Sequence, residues 1–131
     1  MFLPEPGTEL KREVSMGHGK VYTFDEVDWK PFIKDGVTKI HSKALIEEGV
    51  DVLSISLTKV EPGGEFGMHK DPYDHRFYFL IGEGEGRVDD ETYRIEPGVV
   101  AEIPSGTLHG YKNLSQKEMF LITVNTKVQG K

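Results

Sequence analysis

The sequence contains no cysteine among its 131 residues. Disulfide bonds and thiolate metal ligands are therefore excluded, so any bound metal would be held by nitrogen and oxygen atoms. There is no run of about 18 apolar residues, so no membrane span is predicted. Residues 1–7 show no basic stretch followed by an apolar one, so no secretory signal is predicted. We therefore expect a cytoplasmic protein.

Positive charge is also scarce, with 16 lysines and arginines against 22 acidic residues and a net charge of −6. An acidic surface repels phosphate backbones, so nucleic acid is not expected as a partner. The hydrophobic and charged fractions, 37% and 29%, are ordinary for a globular protein. The length fits one domain with its own core.

Turn-forming residues are abundant, with 15 glycines and 7 prolines. Segments of strand-like composition lie between turn signals spaced by about 8–12 residues, a pattern typical of an all-β sandwich or barrel. In residues 52–60, aliphatic side chains alternate with serine and threonine, and the Pro62-Gly63-Gly64 sequence that follows predicts a turn. The predicted strands are 20–24, 36–45, 52–60, 75–81, 86–89, 92–95, 99–103, 108–113 and 118–125.

The N-terminal third of the chain is less regular. Residues 1–18 are predicted to form an irregular arm, because they contain two prolines and no sustained apolar period. Residues 25–32 predict one helical turn ended by Pro31. Trp29 and Phe32 are expected to pack this segment against the barrel.

The strand Phe77–Ile81 is apolar at every position. A strand covered on one face alone would alternate apolar and polar residues. We therefore expect both of its faces to be covered, by the N-terminal segment or by a second subunit, and on this basis we predict a homodimer.

Metal-ligand side chains are concentrated in the block Gly63–Gly82, which holds His69, Asp71 and His75. Residues two apart on a strand point the same way, so His69 and Asp71 are expected to face one side. His109 lies in a second glycine-proline block downstream. Three imidazoles and one carboxylate meeting at a point suit Fe, Mn, Co, Ni, Cu or Zn as the divalent ion, with positions left open for water or substrate.

The residues after each histidine predict the walls of this site. Phe77, Phe79 and Ile81 share the face of His75 on a regular strand. Tyr111 points the same way as His109, as does Asn113. We predict Phe77, Phe79 and Tyr111 as pocket residues.

The second of these blocks carries a family resemblance. Its residues Gly98, Pro104, Gly106, His109 and Asn113 match the spacing G-x5-P-x-G-x2-H-x3-N. This is the second motif of the cupin superfamily, which the chain resembles in its small single-domain form.

The first block fits the other cupin motif, G-x5-H-x-H-x3-E-x6-G, at Gly63, His69 and Gly82. Asp71 stands where the second histidine is usual, and His75 stands where glutamate is usual. The composition of three histidines and one carboxylate is kept, but the two middle ligands are exchanged. Aspartate reaches less far than histidine, so Asp71 is either a direct ligand or binds through water.

The resemblance implies a double-stranded β-helix, or jelly-roll barrel, with an N-terminal extension of short strands. We expect a single cupin domain over residues 1–131, with an arm and flanking strands in 1–50 and the barrel core in 51–126. It also implies a metal-dependent enzyme of the dioxygenase, decarboxylase, isomerase or lyase class, acting on a small polar substrate. The alternative is a non-catalytic sugar- or metabolite-binding sensor whose metal is structural.

Other polar residues receive simpler interpretations. His41 shares strand parity with Lys39 and Lys43 and is expected to be solvated. Asp74 is the weaker carboxylate candidate, because it would point away from His75 on a regular strand. We predict surface positions for Glu65 and Glu102, packing roles for Tyr73 and Tyr111, a loop at His18, and a tight turn at Gly82–Gly86.

Overall fold

The computed structural model describes residues 14–16, 19–47 and 52–128 of the chain. It confirms the all-β prediction, since the described helical structure is one 3-10 turn at Phe24–Glu26. No helix in this part of the chain is long and apolar enough to span a membrane. The strands are β1 Val14–Met16, β2 Gly19–Val21, β3 Lys30–Pro31, β4 Val37–Ile46, β5 Val52–His69, β6 Asp74–Ile81, β7 Gly84–Val88, β8 Glu91–Ile95, β9 Val100–Ile103, β10 His109–Asn113 and β11 Met119–Thr126.

Nine strands form one curled sheet around strand β5. Seven of them follow the order β8-β7-β10-β5-β11-β6-β9, while β4 pairs with β5 and β3 pairs with β4. The first half of β5 pairs with β11, from Val52 to Val60, and its last residues, Glu65 to His69, pair with β10. Strand β5 therefore changes its neighbour midway and carries the chain from one wall of the barrel to the other.

The change of neighbour occurs at Pro62-Gly63-Gly64, where the predicted turn is wrong: the structure has a bulge inside one continuous strand. Gly63 takes a φ of 78° and Lys39 on the paired strand a φ of 55°, and the β4–β5 register shifts there. A Cβ on Gly64 would lie 2.9 Å from the carbonyl oxygens of Glu61 and Lys39. The two glycines allow close backbone approach and positive φ, so the strand kinks without ending.

The N-terminal segment also differs from its prediction. The helical turn is only the 3-10 turn, and Pro31 does not end a helix but lies in strand β3, opposite His41. A proline is tolerated there because β3 is an edge strand. Trp29 and Phe32 do pack on the barrel, with ring centroids 6.2 Å from Phe120 and 5.5 Å from Phe66, respectively. Most of the predicted arm lies outside the described residues, although Val14–Met16 is a strand.

Buried and exposed side chains alternate along strand β6, although nearly all of them are apolar. His75, Phe77 and Phe79 are buried, whereas Tyr78 is 38% and Leu80 44% exposed. Ile81 does not share the inner face as predicted: it is 57% exposed, because the register shifts between Phe120 and Leu121 on the paired strand β11. The outer face of β6 is thus not covered by the described residues of one chain, and the homodimer stays a prediction.

The core fills the barrel and reaches the histidines through Phe77, whose ring centroid lies 5.5 Å from that of His75. Strand β8 pairs antiparallel with strand β7, and Tyr93 is directly opposite Gly86. A Cβ at position 86 would lie 2.0 Å from the Tyr93 ring. The tight turn predicted for Gly82–Gly86 is shorter than expected, since β7 already begins at Gly84. The buried core cluster consists of Ile40, Val60, Phe77, Phe79, Ile95, Ile103, Tyr111, Met119 and Leu121.

Candidate metal centre

The structure brings the four predicted ligand residues together from three strands and one loop. His69 ends β5, His75 lies in β6 and His109 begins β10, directly opposite His69. Asp71 lies in the loop between β5 and β6. One potential ligand atom of each residue lies within 4.8 Å of those of the other three. The cluster could therefore hold a metal ion.

Asp71 reaches into the middle of this cluster. Its Oδ2 atom lies 2.9 Å from Nε2 of His69, 2.7 Å from Nε2 of His75 and 3.9 Å from Nε2 of His109. The Asp71 side chain is only 8% exposed. Its short reach is offset by its position in the loop, which leaves the strand and bends towards the three imidazoles.

Hydrogen bonds at the opposite ring nitrogens fix the tautomers of His69 and His109. The Nδ1 atom of His69 lies 2.8 Å from the carbonyl oxygen of Gly67, and that of His109 lies 2.8 Å from the carbonyl oxygen of Thr107. A carbonyl oxygen can only accept, so each Nδ1–H is the donor. When each ring is neutral, its Nε2 therefore presents a lone pair to the cluster.

The ring of His75 is also held at Nδ1, by the side chain of Asn125, which the sequence analysis did not identify. Its Nδ1 lies 2.5 Å from Oδ1 of Asn125, while Nδ2 of Asn125 donates to Oγ of Ser54 at 3.0 Å. In this arrangement the amide oxygen faces the imidazole, and because it can only accept, the Nδ1–H of His75 is the donor. The only sequence signal was the position of Asn125, an amide side chain near the end of a mainly apolar strand.

This donor set fits a divalent transition metal. Buried Nε2 atoms of His69 and His109 have no hydrogen-bond partner. Lone pairs and a carboxylate oxygen repel one another at these distances unless a proton or a metal cation lies among them. With metal–ligand bonds of about 2.1 Å, adjacent ligand atoms lie roughly 3 Å apart and opposite ones roughly 4 Å apart. The 2.7, 2.9 and 3.9 Å separations around Asp71 Oδ2 match this range.

The electrostatics favour the forms that bind a metal. Burial lowers the pKa of His109 to about 4, helped by the neighbouring His69 and His75, so this ring is neutral at pH 7. Burial alone would raise the pKa of the Asp71 carboxyl. The 2.7 Å contact with Nε2 of His75 and the nearby His69 and Lys34 side chains outweigh burial, so the Asp71 pKa is lowered and the carboxylate is ionised.

A cavity of about 130 Å³ adjoins the cluster. One wall is aromatic: Phe66 stacks on His69 with ring centroids 4.2 Å apart, and Phe77 and Tyr111 continue it. Of the predicted pocket residues, Phe77 and Tyr111 thus line the cavity, whereas Phe79 lies in the core cluster behind them.

Another part of the cavity lining, called here the hydroxyl wall, is built of hydroxyl side chains that the sequence analysis did not assign to the site. They belong to the polar face of β5 and to its neighbours, and Thr58 Oγ1 contacts Thr123 Oγ1 at 2.9 Å. The alternation in residues 52–60 was the available signal, but it does not say which face points inward. The hydroxyl residues lining the cavity are Ser42, Ser54, Ser56, Thr58 and Thr123.

Two residues that the sequence analysis did not assign to the site, His41 and Lys43, lie away from the cluster but are less solvated than their strand parity predicted. His41 is half-buried and its Nε2 lies 2.9 Å from Oε2 of Glu61, so it is not simply solvated. Lys43, placed by the same parity argument, is buried and donates to the carbonyl oxygen of Phe24 at 2.9 Å. Parity failed because the 3-10 turn and Trp29 cover this part of β4.

The remaining expectations fit the structure. Asp74 points away from the cluster and accepts the backbone N–H of Ser105 at 2.8 Å. Glu65 and Glu102 are exposed. Tyr73 packs edge-on against His75, with ring centroids 4.9 Å apart, and burial together with the Asp71 charge raises its pKa. His18 lies outside the described residues.

The fold and the cluster define a small β-barrel that carries a candidate metal centre, and the comparisons identify its family. Residues 56–125 match the cupin domain of the Cupin_2 family. This match covers more than half of the chain, so the protein belongs to the cupin family. Comparison with curated proteins finds no match.

Solved structures show the same fold at low sequence identity. A predicted oxalate decarboxylase from Thermotoga maritima is 21% identical, with a TM-score of 0.76 over 82% of this chain and 99% of that one. The polyketide cyclase RemF from Streptomyces resistomycificus is 23% identical, with a TM-score of 0.71 over 82% of this chain and 79% of that one. A cupin-2 domain protein from Rhodospirillum rubrum is 20% identical, with a TM-score of 0.69 over 80% of this chain and 73% of that one.

Proposed function

We propose that this cupin is a metal-dependent enzyme that acts on a small polar molecule. Its ligands for a divalent transition metal are Nε2 of His69, His75 and His109 and Oδ2 of Asp71. The observation that carries the proposal is the orientation of the imidazoles: each donates its Nδ1–H outward and turns Nε2 towards the same carboxylate oxygen. Of the two sequence-level alternatives for Asp71, the position of Oδ2 favours a direct ligand.

A divalent metal bound there supplies Lewis-acid polarisation of a substrate oxygen or, as iron, reactivity towards dioxygen. The chain's own residues supply binding and shape. The hydroxyl wall offers hydrogen bonds to a polar substrate, and the aromatic wall of Phe66, Phe77 and Tyr111 keeps water from the buried imidazoles. Because burial raises the pKa of Tyr73 and Tyr111, their phenols stay protonated and bring no charge to the cavity.

The small cavity supports a small substrate. Solved neighbours include proteins described as a predicted oxalate decarboxylase and a polyketide cyclase, so one fold carries different reactions. The substrate must therefore be argued from the cavity itself. A space of about 130 Å³, with hydroxyls on one side and aromatic rings on the other, fits a compact oxygen-rich molecule.

One observation favours the alternative of binding without turnover. The hydroxyl wall contains serines and threonines, which form hydrogen bonds but do not exchange protons near neutral pH. A sensor or sugar-binding cupin would need only this wall and a structural metal. Turnover by the metal-loaded protein distinguishes the two functions.

The metal is tested by comparing the unaltered protein with His69→Ala and His41→Ala. His41 is the matched control, because it lies on β4 outside the cluster. Each protein is reconstituted separately with Fe, Mn, Co, Ni, Cu or Zn, and metal content is measured by elemental analysis after removal of excess ion. We expect near-stoichiometric metal in the unaltered and His41→Ala proteins, and at least tenfold less retained by His69→Ala. Equal retention in all three would contradict the proposed site.

Catalysis is tested with the metal-loaded protein and a panel of small diols, keto acids, hydroxy acids and sugars. Oxygen consumption reports dioxygenase chemistry, and product analysis reports decarboxylation, isomerisation or elimination. Turnover that disappears in His69→Ala but persists in His41→Ala supports an enzyme. Stoichiometric metal with tight ligand binding and no turnover across the panel would support the sensor function instead.

A further inference from the structure

Lys34 is placed over the mouth of the cavity by a short segment between β3 and β4. Phe32 packs on Phe66, and the carbonyl oxygen of Gly36 accepts the N–H of Gly67 at 2.7 Å. Within the segment, Val37 N–H donates to the Lys34 carbonyl oxygen at 3.1 Å. These contacts fasten the segment across the end of β5, two residues before His69.

The Lys34 ammonium faces the cluster from outside. Its Nζ lies 3.5 Å from Oδ1 of Asp71 and 5.8 Å from the centroid of the Phe66 ring. The two carboxylate oxygens of Asp71 therefore have different neighbours: Oδ2 lies among the imidazoles, and Oδ1 faces Lys34. Among the described residues that line the cavity, Lys34 is the only lysine or arginine.

The Lys34–Asp71 contact leaves the ammonium with unused binding capacity. A charge-assisted N–H···O bond is normally about 2.7–2.9 Å long, so 3.5 Å is a loose contact. An ammonium has three donors, and the Lys34 side chain is 43% exposed. Donors not directed at Asp71 are available to a molecule that enters the cavity.

We propose that Lys34 anchors a carboxylate of the substrate, so that the site takes small hydroxy acids or keto acids. This inference rests on the proposed metal-dependent function. The ammonium binds the carboxylate at the mouth, and the hydroxyl wall binds the oxygen substituents deeper in the cavity. A single ammonium matches the single charge of a carboxylate, whereas phosphate sites generally combine several cations or backbone N–H groups.

The competing interpretation is that Lys34 only balances the charge of Asp71. In that case its removal would change metal binding but not the preference for anions. The test therefore measures metal content and anion affinity separately, using Lys34→Met, Lys34→Arg and the control Lys30→Met. Lys30 is an exposed lysine in the neighbouring strand β3 that does not line the cavity.

The probes are lactate, its neutral isostere lactamide and inorganic phosphate, titrated into Mn²⁺-loaded protein by calorimetry. We expect the unaltered and Lys30→Met proteins to prefer lactate over lactamide and over phosphate. Lys34→Met should retain stoichiometric Mn²⁺ and bind lactate at least about tenfold more weakly, with lactamide binding unchanged. Lys34→Arg should recover part of the lactate affinity, because it keeps the charge.

If Lys34→Met keeps its Mn²⁺ and binds lactate within twofold of the unaltered protein, the inference about Lys34 is overturned but the proposed metal-dependent function is not. Equal binding of lactate and lactamide by the unaltered metal-loaded protein would do the same, as would a preference for phosphate. Failure of the unaltered protein to take up metal would instead overturn the proposed function, and this inference with it.

Discussion

His75 and Asn125 face each other directly across strands β6 and β11, and the Nδ1–H of His75 donates to Oδ1 of Asn125 at 2.5 Å. Asn125 is in turn opposite Ser54 on β5, whose Oγ accepts from the Asn125 amide. One row of residues across three strands thus fixes the ring orientation and tautomer of a metal-ligand candidate. The partner of a ligating imidazole commonly tunes metal affinity in this way.

Replacing Asn125 tests the importance of this row. Asn125→Leu removes the acceptor for His75 Nδ1–H, so we expect metal affinity to fall by roughly 10- to 100-fold. Asn125→Asp keeps an acceptor and should retain most of the affinity. Affinity is measured by competition with a chelating dye at constant pH. Equal losses in both variants would show that shape at position 125, and not hydrogen bonding, sets metal affinity.

The bulge in β5 predicts a specific sensitivity at Gly64. Gly64→Ala brings a Cβ within 2.9 Å of two carbonyl oxygens and 2.7 Å of Val60 Cγ1, so we expect a loss of about 1–3 kcal/mol in the free energy of unfolding. Gly98→Ala is the control, because a Cβ there meets nothing within 4 Å and only the positive φ opposes it. Denaturant unfolding gives both values, and a free energy of unfolding unchanged by Gly64→Ala would contradict close approach at the bulge.

The packing of Tyr93 predicts a loss of stability in alkali. Burial raises the pKa of Tyr93 to about 12, above the value near 10 expected in the unfolded chain. A raised folded pKa means that the stabilising contribution is complete below about pH 10 and is lost as the pH rises towards 12. We expect this contribution to be about 1–2 kcal/mol and Tyr93→Phe to lose correspondingly less stability, since the remaining alkaline loss comes from Tyr73 and Tyr111, whose pKa values burial also raises. Urea unfolding on both sides of pH 10 measures it, and identical pH profiles for the two proteins would contradict the prediction.

The outer face of β6 predicts self-association. Tyr78 and Leu80 are exposed there, and Val100 is directly opposite Tyr78 on β9 and also exposed. We expect light scattering to give a dimer mass that Leu80→Glu lowers towards the monomer, because a charge at this position would be buried at an interface. A monomer mass independent of concentration would rule the dimer out.

Much of the site could be predicted because its residues follow fixed spacings. The intervals among His69, Asp71, His75 and His109, together with the surrounding glycines and prolines, predicted a barrel and one ligand set. The resemblance of two short motifs to the cupins supplied the jelly-roll fold type. These signals are local in the sequence, so they can be recognised without knowing which distant residues are in contact.

The failures arose where distant residues decide the local structure. Pro62-Gly63-Gly64 has the composition of a turn, but β4, β10 and β11 pair along β5 on both sides of it and hold the strand continuous. Parity placed His41 and Lys43 in solvent, but Trp29 and Glu61 partner them. The alternation in 52–60 did not reveal that its hydroxyl face lines the cavity.

By itself, the sequence determined the all-β class, the family motifs and the four candidate ligands, because these depend on residue type and on the two-residue period of strands. Only the tertiary structure decided how the ligand side chains are arranged and which residues contact them. It placed Oδ2 of Asp71 among three imidazoles, supplied Asn125 to orient His75, and set Lys34 over the cavity. The physical reason is that hydrogen bonds and charge contacts join residues up to 71 positions apart, and only the folded sheet brings them within reach.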